Sequence, residues 1–249
     1  MSTKLKTISS QEEQSNRSNL TKLFDESPIF QEEKVANSAL FLKRQELSKI
    51  LFFNEIYSKL IHTHGVIMEL GVRWGQNLVT LSNLRGIHEP FNHSRKIIGF
   101  DTFEGFPSVS SQDGEADYNV KGAFNVSENY EEYLEQLLQC HVNESPLNHI
   151  KKNYVIKGNA TETLKKYLAE HPETIIAFAY FDFDIYEPTL ECLKLIKPYL
   201  TKGAIIGFDE LCDPGFPGET EAVREVLGTN NYRIERNKYS GIQSYIVYE

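Results

Sequence analysis

The sequence predicts an α/β domain built on a mostly parallel sheet. Residues 65–101 read as strand, glycine turn, helix and second strand with an acid at its tip. Apolar runs of strand length then alternate with helix-patterned segments as far as residue 208. Acids close three of those runs, at Asp101, at Asp182 and Asp184, and at Asp209 and Glu210, so they gather along one sheet edge. A chain of 249 residues suits one such domain with a substantial core.

The first unit opens with Val66-Ile67-Met68 and ends in Glu69-Leu70-Gly71-Val72-Arg73-Trp74-Gly75. A helix is expected over 76–84, and Ile97-Ile98-Gly99-Phe100 then stops at Asp101. This is half of a nucleotide-binding βαβ unit. Gly71 lets the chain turn sharply off the strand, and Gly75 is expected to let the backbone approach a ligand. Asp101 is placed to accept hydrogen bonds from two ribose hydroxyls. The spacing G-x-x-x-G is neither the dinucleotide fingerprint nor a phosphate loop, and no Lys-Ser or Lys-Thr follows it. Glu69 would repel a phosphate; it suits a ligand with a cationic end, such as the ammonium and sulfonium of S-adenosylmethionine. Alone, the two glycines would more often serve turn geometry, but Glu69 before them and Asp101 after them favour a ligand.

The remaining elements follow in order. Residues 1–36 are polar and rich in Ser, Gln and Glu, and read as an arm whose few apolar residues, among them Leu20, Leu23 and Phe24, dock on the domain or on a second subunit. Residues 37–249 form the single domain. From 38 to 62, Leu40, Leu42, Leu47, Ile50, Leu51, Ile56 and Leu60 recur at helical spacing, giving an amphipathic helix broken once. The polar, turn-rich segment 103–126 leaves the carboxyl end of a strand, where ligands of open α/β sheets bind, and is a candidate lid. Its aromatic residues Phe103, Phe106, Tyr118 and Phe124 suit either a sugar face or local packing. A helix is expected over 130–139, a strand over 154–159 and a helix over 160–168. The almost wholly apolar run 174–181 is expected to be a buried parallel strand. Pro188 fits the first turn of a helix reaching 199. A strand over 204–208, a helix over 220–227 and two strand-like runs, 232–235 and 244–248, complete the chain.

Composition narrows the partners. Hydrophobic residues make up 40% and charged residues 24%, ordinary for a globular protein. A net charge of −9, from 26 basic and 35 acidic residues, disfavours nucleic acid. Cys140, Cys192 and Cys212 form no C-x-x-C pair, neither a disulfide frame nor a zinc site. With no apolar signal core and no membrane-length run, a cytoplasmic protein is expected.

The acids carry the chemistry. Asp182 and Asp184 follow one strand and Asp209 and Glu210 the next, so up to four carboxylates converge. Such a cluster is costly unless a cation or a substrate proton relieves it. Hard oxygen ligands suit Mg²⁺ or Ca²⁺. At least one of the four is expected merely to cap a helix or bind loop amides.

The motifs Glu69-Leu-Gly-Val-x-x-Gly75, Gly99-Phe-Asp-Thr-Phe-Glu-Gly-Phe-Pro107, Phe181-Asp-Phe-Asp-Ile-Tyr-Glu-Pro-Thr189 and Phe208-Asp-Glu210 with Pro217-Gly-Glu219 resemble the macrocin O-methyltransferase family, and are most similar to its calicheamicin-type sugar enzymes. The resemblance covers roughly residues 60–249, with the motifs in order. It implies a Rossmann-like class I methyltransferase fold, a seven-stranded, mostly parallel sheet with helices on both faces and a C-terminal antiparallel hairpin. It implies S-adenosylmethionine as donor, with Glu69, Gly71 and Gly75 around its methionine part, Asp101 with Thr102 and Phe103 at the ribose, Asn159 near the adenine, and Asp182 also at the donor. It maps a metal, Mg²⁺, to Asp182, Asp209 and Glu210, although Glu210 is longer than the usual Asp or Asn. The expected reaction is in-line transfer of the methyl group to a hydroxyl of a sugar or glycosylated small molecule. Asp184 is the candidate base beside Asp182, with His141 and His149 as alternatives. A homo-oligomer is expected. A non-sugar acceptor, or a non-catalytic protein on the same scaffold, stays open; the clustered acids argue against the latter. No His-x-Asp/Glu…His set supports iron-dependent hydroxylation.

Overall fold

Five residues without polar alternation, Val66–Leu70, form β1, buried at every position and therefore central. This computed structural model describes residues 9–249; residues 1–8 of the expected arm lie outside the described residues. β1 pairs in parallel with β2 (Ile97–Asp101) on one side and β4 (Ile176–Phe181) on the other. β3 (Asn153–Lys157) extends the sheet beyond β2, and β5 (Leu200–Phe208) beyond β4. β7 (Ser244–Tyr248) runs antiparallel to β5, and the short β6 (Glu235–Arg236) antiparallel to β7. The order is β3-β2-β1-β4-β5-β7-β6, so strand order reverses between β1 and β4. Open α/β sheets leave a crevice at that reversal. The run 232–235 is strand only at its last residue, because Tyr232 stacks its ring on Tyr248 instead.

Helices cover both faces. α3 (Arg44–Leu60), α4 (Gln76–His88) and α5 (Tyr130–Asn143) bury Phe53, Ile56, Leu78, Leu81 and Leu134 against Ile67, Phe178 and Tyr180. α6 (Ala160–Glu170), α7 (Tyr186–Ile196) and α8 (Pro217–Val226) close the other face over Met68, Phe100, Phe181 and Phe208. No described helix is long and apolar enough to cross a membrane.

The N-terminal arm contains helices where a polar leader is expected. α1 (Gln11–Asp25) starts at a reciprocal cap between Ser10 and Glu13, with Glu12 and Glu13 in its first turn and Lys22 in its last. It buries no residue; α2 (Gln31–Lys34) follows. The break in the expected 38–62 helix falls between a 3₁₀ turn, Ser38–Phe41, and α3.

The candidate lid is fastened down. Its 3₁₀ turn, Ser111–Asp113, buries Asp113, whose Oδ1 accepts from the Tyr186 amide at 2.6 Å and whose Oδ2 accepts from the Ser110 amide and hydroxyl. Asn119 donates to the Gly215 carbonyl at 3.1 Å. Phe106 and Ala123 then share a small core with Ile185 and Phe216.

Candidate active site

The parallel register sets the strand tips side by side. The Asp182 amide donates to the Leu70 carbonyl at 2.8 Å, and the Asp209 amide to the Phe181 carbonyl at 3.0 Å. Over these tips, at the reversal between β1 and β4, lies a cavity of ≈340 Å³. Its walls are the glycine turn, the ends of β2, β4 and β5, and Phe106, Phe124 and Phe216 from the lid side. Concave sites with an apolar wall and a few converging polar groups are the usual small-molecule sites.

The glycine turn is held by Asp101. Its Oδ2 accepts from the Val72 and Arg73 amides at 2.7 and 2.8 Å, and its Oδ1 from the Phe103 amide at 2.5 Å. Asp101 thus shapes the loop and also faces the cavity. Gly71, at φ +95°, has no room for a side chain because a Cβ would run into the Asp182 carbonyl oxygen. The role expected of Gly75 is corrected: it does not line the cavity. At φ +77° it starts α4 in the left-handed region, and a Cβ there would meet the Leu134 side chain of α5. Phe103 is corrected likewise, since its ring is buried in the α3–α5 core and only its amide serves the site. Thr102 lines the cavity while bonding the Gly105 carbonyl at 2.7 Å. Asn159 lines it too, and caps α6 by accepting from the Thr161 amide at 3.2 Å.

Glu69 is the anomaly beneath the turn. It is 0% exposed, and neither carboxylate oxygen has a hydrogen-bond partner within the described residues. Burial, reinforced by the charge of Asp182, pushes its carboxyl well above the usual range. Glu69 does not itself line the cavity; it lies beneath the turn, where Asn77 and Lys49 favour its ionised form against burial and Asp182.

The acids at the tips meet a residue that sequence reasoning missed. Lys49, from the first half of α3, places Nζ 3.0 Å from Asp209 Oδ1 and 3.4 Å from Asp182 Oδ2. Asp209 Oδ1 also accepts from the Tyr180 hydroxyl at 2.5 Å and Gln243 Nε2 at 3.0 Å, and Asp182 Oδ2 from Asn77 Nδ2 at 3.2 Å. Burial works against the charge of Lys49, but Asp182 and Asp209 more than outweigh it, so its proton is held more tightly than in water. Burial also opposes the charge of Asp209, yet Lys49, Tyr180 and Gln243 hold its carboxyl below the usual range. Burial and the charge of Asp209 push Asp182 up to about 6 against the pull of Lys49.

Asp184 lines the cavity at φ +64°, a left-handed conformation costly for a non-glycine residue and common at functional sites. Burial and the charges of Asp182 and Asp209 push its carboxyl well up. Glu210 lies near it and is pushed up to about 11 by burial and the charge of Asp184. The metal set expected from Asp182, Asp209 and Glu210 is therefore not assembled. Lys49 bridges the first two, Glu210 faces Asp184, and among the described residues no group of three or more His, Cys, Asp or Glu is arranged to hold a metal ion. His141, in the last turn of α5, and His149, in a separate depression with Lys151, border no part of the cavity.

A doubly wound sheet with its last two strands reversed, and an acid-lined cavity over a glycine turn, is the architecture of the class I methyltransferases. CalS11, a calicheamicin methyltransferase, superposes with a TM-score of 0.94 at 42% identity, over 97% of this chain and 94% of that one. The apo structure of CalS11, a TDP-rhamnose 3′-O-methyltransferase of calicheamicin biosynthesis, gives 0.85 at 38% identity over 97% and 96%. The O-methyltransferase NovP shares the fold, with a TM-score of 0.61 at 18% identity over 81% and 79%. No profile of a known protein family matches the chain. The chain belongs to the calicheamicin-type sugar O-methyltransferases, a family of S-adenosylmethionine-dependent enzymes.

Proposed function

We propose that this chain methylates a hydroxyl of a sugar or glycosylated small molecule, with S-adenosylmethionine as donor. The observation that carries the reading is the convergence of Asp182, Asp184 and Asp209 on one cavity whose other wall is the glycine turn over the unpaired Glu69. The sugar acceptor is carried over from the TDP-rhamnose named for CalS11. Glu69, Gly71, Asp101, Thr102, Asn159 and Asp182 hold the donor, with Asp101 keeping the turn in shape while it serves the ribose. Bound there, the donor supplies a methyl group activated by its sulfonium charge.

The chain's own residues supply position and a proton acceptor. Asp184 takes the hydroxyl proton as the oxygen forms its bond to the methyl carbon and the carbon–sulfur bond breaks. A carboxyl that retains its proton strongly is the better base once ionised, and a cation entering beside Asp182 and Asp184 favours that ionised form. Phe106, Phe124 and Phe216 give the C–H face of a sugar an apolar wall. No step is assigned to a magnesium ion.

The test pairs turnover with binding. Labelled methyl transfer to a panel of TDP-sugars and glycosides, followed by NMR, is expected from the wild type. Asp184→Asn lowers kcat by about 10²–10⁴ and leaves S-adenosylhomocysteine affinity, read by calorimetry, unchanged. Equal loss of turnover and binding would make Asp184 structural.

A further inference from the structure

Lys49 stands between Asp182 and Asp209, two of the carboxylates expected to hold a divalent cation. Its Nζ lies within 3.4 Å of one carboxylate and 3.0 Å of the other. It is the only cation within salt-bridge distance of those carboxylates among the described residues; the other cation lining the cavity, Arg73, is exposed and sits over the Phe124 ring at 5.0 Å. Its place is built by the fold. Phe52 and Phe53 bury the same helix against Tyr180, and the Lys49 ammonium passes 5.9 Å from the Tyr180 ring centroid toward the strand tips.

Charge decides what else fits there. The Lys49 ammonium already lies on one oxygen of each carboxylate, Asp182 Oδ2 and Asp209 Oδ1, the pair a bridging divalent ion would need. A divalent ion drawn to those two oxygens would meet the fixed ammonium at close range and be repelled by it. Ammonium and divalent ion are therefore alternatives on the same oxygens. We propose that Lys49 is the resident counter-cation of the Asp182–Asp209 pair, a positioning residue that does a metal's electrostatic work and excludes a divalent ion from those carboxylates. The activity arm of its test rests on the methyl-transfer reading; the binding arm does not.

The full chain, stripped of metal with EDTA, is compared with Lys49→Met and with Lys49→Gln, which keeps a polar side chain. Magnesium chloride and S-adenosylhomocysteine are titrated separately by calorimetry. The wild type is expected to show no saturable magnesium binding and the same turnover in EDTA as in magnesium. Each variant is expected to bind magnesium at least about tenfold more tightly, because two unpaired carboxylates are freed. Without metal, kcat in the variants falls by about 100-fold with little change in donor KM, and magnesium restores part of it, which a merely structural lysine would not show. Saturable magnesium binding to the wild type as tight as to the variants overturns the proposal. So does undiminished variant turnover in EDTA. Should neither variant fold by circular dichroism, the wild-type titration alone decides. If no acceptor is turned over at all, the magnesium titrations still judge Lys49 while the methyl-transfer reading fails separately.

Discussion

Tyr180→Phe isolates how the Asp209 charge is held. The Tyr180 hydroxyl donates to Asp209 Oδ1 at 2.5 Å from a side chain that is 0% exposed, so no water replaces it when it is removed. The ring keeps its packing on Phe53, at 4.9 Å between centroids, so little volume changes. A hydrogen bond to a charged group contributes about 1.5–3 kcal/mol. Asp209 keeps Lys49 at 3.0 Å and Gln243 at 3.0 Å, which places the loss near the lower end, about 1.5–2 kcal/mol. For a chain of this size that is a fall in Tm of roughly 3–8 °C. The sign with pH follows from Asp209 lying below its ordinary 3.8 in the folded chain. A lowered carboxyl contributes stability that is present above its unfolded value and lost as pH falls through the folded one. The difference between wild type and variant is thus full at pH 7 and shrinks as pH drops below about 4. Urea unfolding across that range reads it. A difference under about 0.5 kcal/mol at pH 7, or one unchanged at acid pH, would mean that Tyr180 does not hold the Asp209 charge.

Three further outcomes follow from the same geometry. Glu69→Gln keeps the shape beneath the glycine turn and removes the carboxylate, so S-adenosylhomocysteine binding weakens by about tenfold while Tm at pH 7 does not fall; unchanged affinity would free Glu69 from the donor. Donor binding is expected to release protons, because burial raises the carboxyls of Glu69 and Asp184 and a cation beside them favours their ionised forms. Affinity accordingly rises with pH through the neutral range, and the calorimetric heat varies with the ionisation enthalpy of the buffer; a buffer-independent heat contradicts it. Gly75→Ala costs about 2–4 kcal/mol from a left-handed alanine and a crowded Leu134. Adding Leu134→Ala recovers part of that in a double-mutant cycle, whereas additive losses would return Gly75 to the ligand.

Six acids, Glu69, Asp182, Asp184, Asp209, Glu210 and Glu219, gather near one half-buried lysine. Burial of so many charges is unaffordable, and the structure shows how it is avoided. Asp209 alone keeps its carboxyl below the ordinary range, because Lys49, Tyr180 and Gln243 all serve it. Burial pushes the carboxyls of Glu69, Asp184, Glu210 and Glu219 up, which favours their neutral forms.

The sheet was legible because parallel strands are buried on both faces: β4 is an uninterrupted apolar run and β1 is apolar except for Glu69, and their alternation with helices forces the acids after them onto one edge. Local context also made Asp101 and the turn readable. What stayed hidden was the phase of α3. The leucines that mark helical spacing there, Leu47 and Leu51, are 46% and 38% exposed, while Phe52, Phe53, Ile56, Tyr57 and Leu60 form the buried face. Read in that phase, Lys49 stands one turn before Phe53 and two before Ile56, a lysine on a core-facing stripe. A charge in that position needs a buried partner of opposite sign. Its partner Asp182 lies 133 residues away, so only the packing of α3 across β4 and β5 brings the two together. The carboxylates alone suggest a metal; the helix that supplies their cation can be assigned to them only once its buried face is known.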